Sequence, residues 1–370
     1  MNILSGFTLF LKLVLISCSC AVAHADDPTE QICKIVEAIG KQELKTGKVV
    51  GLSIGVANSK SLICVRGFGL ANVEHNIPVT DKSVFRIGSI TKLFTAAAVL
   101  KLVEMKKLNL DDPLTNFIPE YPSPAGQATI RQLLQHTSGI KDLTRLPTYW
   151  RDRQYAAKTN EILARFKDLP RNFDPDVKHQ YCNSGYLLLG VVIEKASKQS
   201  YRQFVEEYLF KAAGLNSTYC DNQSTLIPNR AEGYSRWGGK LRTSPHVHVK
   251  NSTGAGNITT TTRDLLTWQQ ALVGYRVLEK ETFQLMTTKG KLKNGKSFGY
   301  GMGYFIGRTG THQVIRHGGA ISGFRAELAW YPKSEFIIVV QANCDPVNAR
   351  KIVDNVAAEL MKIKTEQASK

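Results

Sequence analysis

The feature that most constrains the fold is the arrangement of strand-like and helix-like segments along the chain. Strand-like segments lie near both ends, whereas the middle, roughly residues 89 to 235, consists of helical periods joined by loops with proline and glycine. Such a chain can form one sheet from its two ends. We therefore predict an α/β (α+β) fold, in which an antiparallel sheet is flanked by terminal helices and carries an inserted all-helical lobe.

Hydrophobic periodicity and turn residues predict the individual elements. Helices are predicted over residues 28–46, 89–106, 130–136, 185–195, 201–212 and 347–363, and strands over residues 49–57, 61–70, 300–308, 312–316, 325–331 and 335–341. The last strand is almost wholly apolar, which predicts a central place in the sheet. The helix and strand lobe therefore comprises about residues 26–88 and 236–370, and the helical lobe about residues 89–235.

The first 25 residues differ in composition from the rest. Lys12 precedes an apolar run, Leu13 to Ala23, which ends before Ala25 and two aspartates. This pattern predicts a removable export signal over residues 1–25, because a run of 11 residues is well short of the roughly 20 that a membrane span needs. Leu15-Ile16-Ser17-Cys18 also resembles a bacterial lipobox. The predicted localisation is secreted or periplasmic, with lipid anchoring at Cys18 as the alternative.

The chain is strongly basic, with a formal charge of +17. Such a charge favours anionic surroundings, including nucleic acid and the polymers of a cell envelope. However, the lysines are scattered, and the sequence has no module in which basic residues alternate with stacking aromatics. We therefore expect no nucleic-acid partner. Two interpretations of the charge stay open, a solvated surface and association with an envelope.

Cysteine and histidine spacing gives no sign of a metal site. Five cysteines follow residue 25, an odd number that leaves at least one free: Cys33, Cys64, Cys182, Cys220 and Cys344. We expect most of them to be buried thiols. His246 and His248 are a candidate metal pair, but no third histidine or acidic partner lies nearby at helical or hairpin spacing. No metal and no cofactor is predicted.

The segment Ser89-Ile90-Thr91-Lys92 opens the most apolar helix after the export signal. Positions three apart share a helix face, so the Ser89 hydroxyl and the Lys92 amine can come within hydrogen-bond reach. Burial disfavours an ammonium ion, which prepares Lys92 to take a proton from Ser89. The alternative is a plain helix N-cap. A second copy, Ser138-Gly139-Ile140-Lys141, lies in a turn with no apolar helix behind it, so we predict no chemistry there.

Two further segments have residues suited to catalysis. Tyr181-Cys182-Asn183 precedes a turn into an apolar helix, and its tyrosine hydroxyl could relay protons. His317-Gly318-Gly319 is predicted to leave the strand before it, where glycines let backbone N–H groups approach a ligand. We expect Cys182 to face the core. The basic stretch between the first two motifs has aromatic residues that either wall a cleft or pack on the surface: Tyr149, Trp150 and Tyr155.

Together, in this order, the three motifs resemble the penicillin-recognising serine hydrolases, whose signature is Ser-x-x-Lys, Ser- or Tyr-x-Asn and a Lys-Thr-Gly-type strand. The Tyr-x-Asn form is similar to the class C β-lactamase and D-alanyl-D-alanine carboxypeptidase branch. Further matching segments are Phe85–Gly88, Leu133–Gly139, Gly318-Gly319 and Gly323-Phe324. The resemblance covers about residues 30 to 365 and implies a β-lactamase/transpeptidase-like fold.

The same resemblance implies catalytic roles. Ser89 is the nucleophile and Lys92 its activating partner. Tyr181 passes protons to the leaving group and later helps activate the deacylating water, and Asn183 hydrogen-bonds the substrate amide and Lys92. The oxyanion lies between the backbone N–H groups of Ser89 and Ala320, where the start of a helix adds a favourable dipole.

The substrate-binding residues His317, Gly318 and Gly319 depart from the lactamase pattern. His317 replaces the usual lysine, and Gly318 replaces the hydroxyl-bearing residue. Since these groups normally hold the carboxylate of a β-lactam or D-alanyl peptide, recognition of that carboxylate should be weaker or pH-dependent here. The His-x-Gly variant is found in this family among D-amino-acid peptidases, carboxypeptidases and esterases.

The predicted function is therefore that of a serine hydrolase with an acyl-enzyme at Ser89. Its substrates are expected to be D-alanyl peptides, β-lactams or related amides and esters, either small molecules or fragments of peptidoglycan. Two alternatives are a carboxylesterase of the same fold and a non-catalytic protein that binds or senses β-lactams or cell-wall fragments. The second alternative requires damaged catalytic helpers, whereas Lys92 and Tyr181 are present.

Overall fold

A computed structural model describes residues 28–368 of the chain. The predicted export signal and Cys18 lie outside the described residues. Within this range, no helix is both long and apolar enough to cross a membrane. The α-helices α1 to α11 are Pro28–Lys45, Thr91–Glu104, Ile130–Leu134, Tyr149–Asp152, Thr159–Ala164, Asn183–Ser197, Tyr201–Val205, Lys211–Ala213, Thr262–Val273, Lys280–Met286 and Ala349–Ala368.

The strands come from both ends of the chain, as predicted. In chain order, β1 to β13 are Gly51–Ala57, Leu62–Asn72, Ile77–Pro78, Phe85–Arg86, Tyr219–Cys220, Tyr234–Trp237, Lys240–Thr243, Ile258–Thr260, Phe305–Thr309, His312–Ile321, Phe324–Tyr331, Phe336–Ala342 and Cys344–Asp345. Seven of them form an antiparallel sheet in the order β3-β2-β1-β12-β11-β10-β9. The apolar strand β12 is at its centre, which confirms its predicted place.

The two faces of this sheet are covered differently. Alternate side chains of β1, among them Leu52 and Ile54, pack with residues of the terminal helices α1 and α11 in one core. On the opposite face, Ile337 and Val339 of β12 belong to a second core, which also contains the buried side chains of α2, α6 and α9. The sheet flanked by terminal helices is confirmed. The helix α2 is buried because apolar residues lie on nearly all of its sides.

The third motif lies within a strand, whereas the prediction placed it after the strand. His317-Gly318-Gly319 was expected to leave its strand, but β10 continues to Ile321, so this expectation is wrong. Its residues stay paired with β11, with Gly318 opposite Glu327. Pairing with β9 ends earlier, at Arg316. The glycines have low strand propensity, and the tertiary pairing overrides it. One edge of β10 is therefore free beyond Arg316.

Other boundaries also differ from the predictions; the C-terminal helix α11, for example, extends to Ala368. The helix expected over 201–212 is interrupted by a π-helical turn at Glu206–Phe210. The strand expected from Tyr300 begins at Phe305, because the residues before it include Gly303 in the left-handed region with φ of 92°.

The cysteines are mostly buried thiols, as predicted. Cys182, Cys220 and Cys344 are free and buried. Cys33 of α1 and Cys64 of β2 form a disulfide, with their Cα atoms 5.6 Å apart. The sequence did not indicate this pair, since it forms where a helix packs across a strand 31 residues away.

Candidate active site

Ser89 and Lys92 are held together by the start of the buried helix α2. Ser89 lies in a 3₁₀ turn, Gly88–Ile90, immediately before the helix, and Lys92 is in its first turn. The Nζ atom of Lys92 is 3.2 Å from the Oγ atom of Ser89. Lys92 is fully buried, whereas Ser89 is partly exposed. A reactive hydroxyl is thus accessible while its partner amine is shielded from water.

The surroundings of Lys92 favour a neutral amine. Burial lowers the pKa of Lys92 to about 7, although the charge of Asp142 partly opposes the shift. Two acceptors lie 2.9 Å from its Nζ atom, the Asn183 Oδ1 atom and the Ala255 carbonyl oxygen. A neutral amine can donate one N–H to each of them, which leaves its lone pair for the Ser89 proton. This arrangement suits a general base.

Tyr181 lies close to both Ser89 and the Lys92 amine. The Nζ atom of Lys92 is 5.0 Å from the centroid of the Tyr181 ring. Burial raises the pKa of Tyr181 above the ordinary value for tyrosine, and a hydrogen bond with the neighbouring Ser89 side chain partly lowers it. The phenol is therefore protonated at neutral pH, and it is placed to donate a proton rather than to take one.

Asn183 begins helix α6, and its amide group has a fixed orientation. Its Nδ2 atom lies 3.3 Å from the Asp142 Oδ2 atom and 3.1 Å from the Thr144 Oγ1 atom. Its oxygen consequently faces Lys92. Cys182 faces the core, as expected, with its thiol donating to the Ile140 carbonyl at 3.4 Å. The motif thus directs alternate side chains toward the site and the core.

The backbone around Ser89 packs closely against strand β10. A Cβ atom added to Gly88 would lie 2.9 Å from the Ala320 backbone nitrogen. Ala320 is exposed at the free edge of β10, and it lines the same cavities as Ser89. The two residues expected to supply oxyanion N–H groups therefore lie side by side.

His317 is part of a buried, uncharged hydrogen-bond chain. Burial and nearby Lys92 lower the pKa of His317 to about 3. Its Nδ1–H donates to the Gly318 carbonyl at 2.6 Å, and its Nε2 accepts from the Tyr300 hydroxyl at 3.4 Å. His136 accepts the Cys182 N–H at Nδ1 and contacts the Tyr300 hydroxyl through Nε2 at 3.2 Å. The position that carries lysine in lactamases is thus neutral in this protein.

Two cavities meet at Ser89 and Tyr181. The larger, of about 1320 Å³, runs along His317, Gly318, Gly319 and Ala320 of β10. The smaller, of about 440 Å³, is lined by Asn183 and by three aromatic side chains, Tyr149, Trp150 and Trp237. Tyr155 lines neither and is exposed. A substrate can therefore extend to both sides of the Ser89 hydroxyl.

Comparison with known proteins identifies the family. The beta-lactamase family model matches residues 36–361. The chain belongs to the beta-lactamase family. It is thus an enzyme of the penicillin-recognising serine hydrolases. A penicillin-binding protein 4* from Bacillus subtilis is 27% identical over 314 residues, which cover 80% of this chain and 68% of the relative.

Solved structures of similar fold support the assignment. An octameric penicillin-binding protein homologue from Pyrococcus abyssi has a TM-score of 0.78 and 26% identity, over 89% of this chain and 77% of that one. A D-amino acid amidase from Ochrobactrum anthropi has a TM-score of 0.80 over 90% of this chain and 99% of its own, and its 23% identity indicates the fold alone.

The second Ser-x-x-Lys copy and the histidine pair lie outside this beta-lactamase-type site. The Lys141 amine is exposed and donates to the Asn172 side chain at 2.7 Å, whereas the Ser138 side chain is buried and accepts the Ile140 N–H at 3.4 Å. His246 contacts the Gln223 side chain. Among residues 28–368, no group of three or more histidine, cysteine or acidic residues could hold a metal ion.

Sequence reasoning missed four residues of the site. The Ala255 carbonyl leaves no signal in sequence, since any residue supplies one. Asp142 and His136 have polar neighbours in the sequence, so only the structure shows that both are buried. Tyr300 was assigned to a strand, and its hydroxyl instead joins His136 to His317.

Proposed function

We propose that the protein hydrolyses amides and esters through an acyl-enzyme at Ser89, with D-alanyl peptides, β-lactams and related compounds as candidate substrates. The observation that carries this proposal is the position of Lys92. Its amine is 3.2 Å from the Ser89 hydroxyl, its pKa is about 7, and its other two hydrogen-bond directions are occupied. A buried lysine with a neutral amine can take the proton of a neighbouring serine hydroxyl.

Acylation follows from this geometry. Lys92 takes the Ser89 proton as the oxygen attacks the substrate carbonyl carbon. The backbone N–H groups of Ser89 and Ala320 stabilise the resulting oxyanion. Tyr181 donates its proton to the departing nitrogen or oxygen and then recovers a proton from Lys92. In deacylation, a water molecule gives up its proton to neutral Lys92 as it attacks the ester carbonyl carbon, with Tyr181 beside it. The proton then passes to the departing Ser89 oxygen, and Ser89 is restored.

The substrate-binding strand supports substrates without a strongly held carboxylate. With a pKa of about 3, His317 has no positive charge at neutral pH, and it is almost completely buried. Gly318 offers no hydroxyl. We therefore expect β-lactams and D-alanyl peptides to react slowly and neutral esters or amides to react faster. A carboxylesterase is the second candidate function, and the neutral His317 is the observation that favours it.

A non-catalytic sensor of cell-wall fragments is less consistent with the site. A protein that only traps ligands has no need for a deacylation base, yet Lys92 and Tyr181 both contact the region of the nucleophile. Turnover of an ester that depends on Ser89 would exclude this alternative.

We also propose that the protein acts outside the cytoplasm, in the secreted or periplasmic space. The disulfide between Cys33 and Cys64 supports an oxidising compartment. The formal charge of +17 suits an anionic envelope. Lipid anchoring at Cys18 is the alternative to release, and the mass of the N-terminal peptide from the native host distinguishes them.

The test is hydrolysis of a p-nitrophenyl ester by the wild type, Ser89→Ala and Ser138→Ala. We expect Ser89→Ala to lose turnover and Ser138→Ala to keep it, since Ser138 belongs to the second sequence copy and is buried away from Lys141. Equal turnover by the wild type and Ser89→Ala would refute the proposal. Loss of turnover in Ser138→Ala alone would mean that the nucleophile was assigned to the wrong copy.

A further inference from the structure

An unusual carboxylate lies beneath the free edge of strand β10. Glu327 on β11 is directly opposite Gly318 in the strand register. A Cβ atom added to Gly318 would lie 2.7 Å from the Glu327 Oε2 atom. Glu327 is 4% exposed and lines the larger cavity together with Ser89 and Gly318. The carboxylate thus occupies the space that a side chain at position 318 would need.

The negative charge of Glu327 is incompletely neutralised. The guanidinium of Arg316 donates to Asp354 at 2.5 Å, whereas its Nε atom is 3.4 Å from the Glu327 Oε1 atom. That geometry is too poor for a hydrogen bond, and the buried Oε1 atom has no hydrogen-bond partner. One buried guanidinium is therefore shared between two carboxylates, with the better contacts going to Asp354.

Most other charges that line the cavity lie at its rim. Lys48, Arg308, Arg350 and Lys351 are exposed to solvent, Glu43 and Arg236 are half-buried, and Arg316 is buried like Glu327. Water and salt screen exposed charges over about 8 Å at physiological ionic strength. A buried carboxylate is screened much less. Because Arg316 is held mainly by Asp354, Glu327 leaves a weakly screened negative charge beside Gly318, even though the rim is basic.

We propose that Glu327 is a specificity-determining residue, whose carboxylate disfavours a substrate carboxylate beside Gly318 and selects substrates with a neutral or cationic group there. The inference rests on the proposed function, because it concerns the leaving-group side of the Ser89 site. It also explains the missing hydroxyl-bearing residue at position 318, since a serine or threonine Cβ would overlap the Glu327 carboxylate.

The selection should depend on pH. Burial raises the pKa of Glu327 to about 7, with Arg316 and Arg350 lowering the pKa and Asp354 raising it. The carboxyl is thus neutral well below pH 7 and charged well above it. Discrimination against carboxylate substrates is expected to be weak at pH 5.5 and strong at pH 8.5. The substrate carboxylate itself is ionised at both pH values, so of these two carboxyl groups only that of Glu327 changes its charge.

The test uses two matched thioesters, hippuryl thioglycolate and hippuryl thioglycolamide, which differ only in the leaving-group carboxylate. The measured quantity is the kcat/KM ratio of the amide to the acid. Protonation of Lys92 affects both substrates equally and cancels in the ratio. For the wild type we expect the ratio to rise about tenfold between pH 5.5 and 8.5. For Glu327→Gln we expect a lower ratio that does not change with pH.

A matched control is Glu104→Gln. Glu104 is also largely buried and paired with a lysine, Lys101, but it ends helix α2, about 20 Å from the start of that helix. For Glu104→Gln, the kcat/KM ratio of the amide to the acid thioester should rise with pH as in the wild type. The amide thioester and the thermal midpoint report whether each variant is folded, and Glu327→Asp should retain part of the pH dependence.

The outcomes separate the two proposals. Ser89-dependent hydrolysis with the same ratio in the wild type and Glu327→Gln at both pH values would overturn the role of Glu327 and leave the proposed function standing. A pH-dependent ratio retained in Glu327→Gln would also overturn it. If the wild type hydrolysed neither thioester, the proposed function would fail, and the inference about Glu327 would fail with it.

Discussion

The lowered pKa of Lys92 gives a quantitative prediction for the pH dependence of acylation. With a pKa of about 7, Lys92 is neutral in about 90% of molecules at pH 8 and about 10% at pH 6. With the ordinary lysine pKa of 10.5, it would be neutral in about 0.3% of molecules at pH 8. Burial therefore increases the population of the active base about 300-fold at pH 8.

The assay is kcat/KM for an uncharged p-nitrophenyl ester between pH 5.5 and 9, with correction for ionisation of the product. We expect a tenfold fall for each pH unit well below 7 and a plateau above pH 8. The pKa of His317, about 3, lies outside this range. Glu327 also has a pKa of about 7. The midpoint of the kcat/KM profile should be the same in Glu327→Gln as in the wild type. An unchanged midpoint would show that Lys92, and not Glu327, sets it.

A change of charge beside Lys92 tests whether Lys92 sets the midpoint of this pH profile. Asp142 raises the pKa of Lys92, so Asp142→Asn should move the midpoint of the profile to lower pH. Asparagine keeps an acceptor for the Thr144 N–H, which Asp142 holds at 3.0 Å. A flat profile, a rise that continues to pH 9 without a plateau, or a midpoint that rises in Asp142→Asn would refute the assignment of Lys92 as the base.

Three further changes test other parts of the site and fold. Tyr181→Phe removes the proton donor, so single-turnover acylation should slow by about 10² to 10⁴ with unchanged thermal stability; unchanged acylation would contradict its role. Replacing Cys33 and Cys64 by alanine should lower the free energy of unfolding by about 3 to 4 kcal/mol in urea titration, and no change would contradict the disulfide. His136→Ala leaves the Cys182 N–H without its acceptor, so a fall of about 1 to 3 kcal/mol is expected, and full stability would argue against the hydrogen-bond chain.

Features that depend on short-range periodicity could be predicted from sequence. The spacing of Ser89 and Lys92 places them on one helix face, and the apolar residues after them require burial. The apolar composition of β12 likewise indicated its central position. Each of these properties belongs to a continuous segment, so no knowledge of tertiary contacts was needed.

Features that depend on contacts between distant segments could not be predicted. The Ala255 carbonyl meets Lys92 across 163 residues, and nothing in its residue type marks it. The third motif was expected outside its strand, since glycine disfavours strands locally, but pairing with β11 holds it in β10. The contact between Gly318 and Glu327 follows from that same pairing, so its register had to be known first.

The measurement that most directly tests the central claim is an intact-mass time course with benzylpenicillin and with an activated ester, followed by peptide mapping. We predict a transient acyl adduct on Ser89 that forms with at least the ester and is absent from Ser89→Ala. With benzylpenicillin the adduct should form slowly, because neutral His317 and Gly318 hold the carboxylate poorly. An adduct on another residue, or the same adduct on Ser89→Ala, would contradict the assignment of Ser89 as the nucleophile.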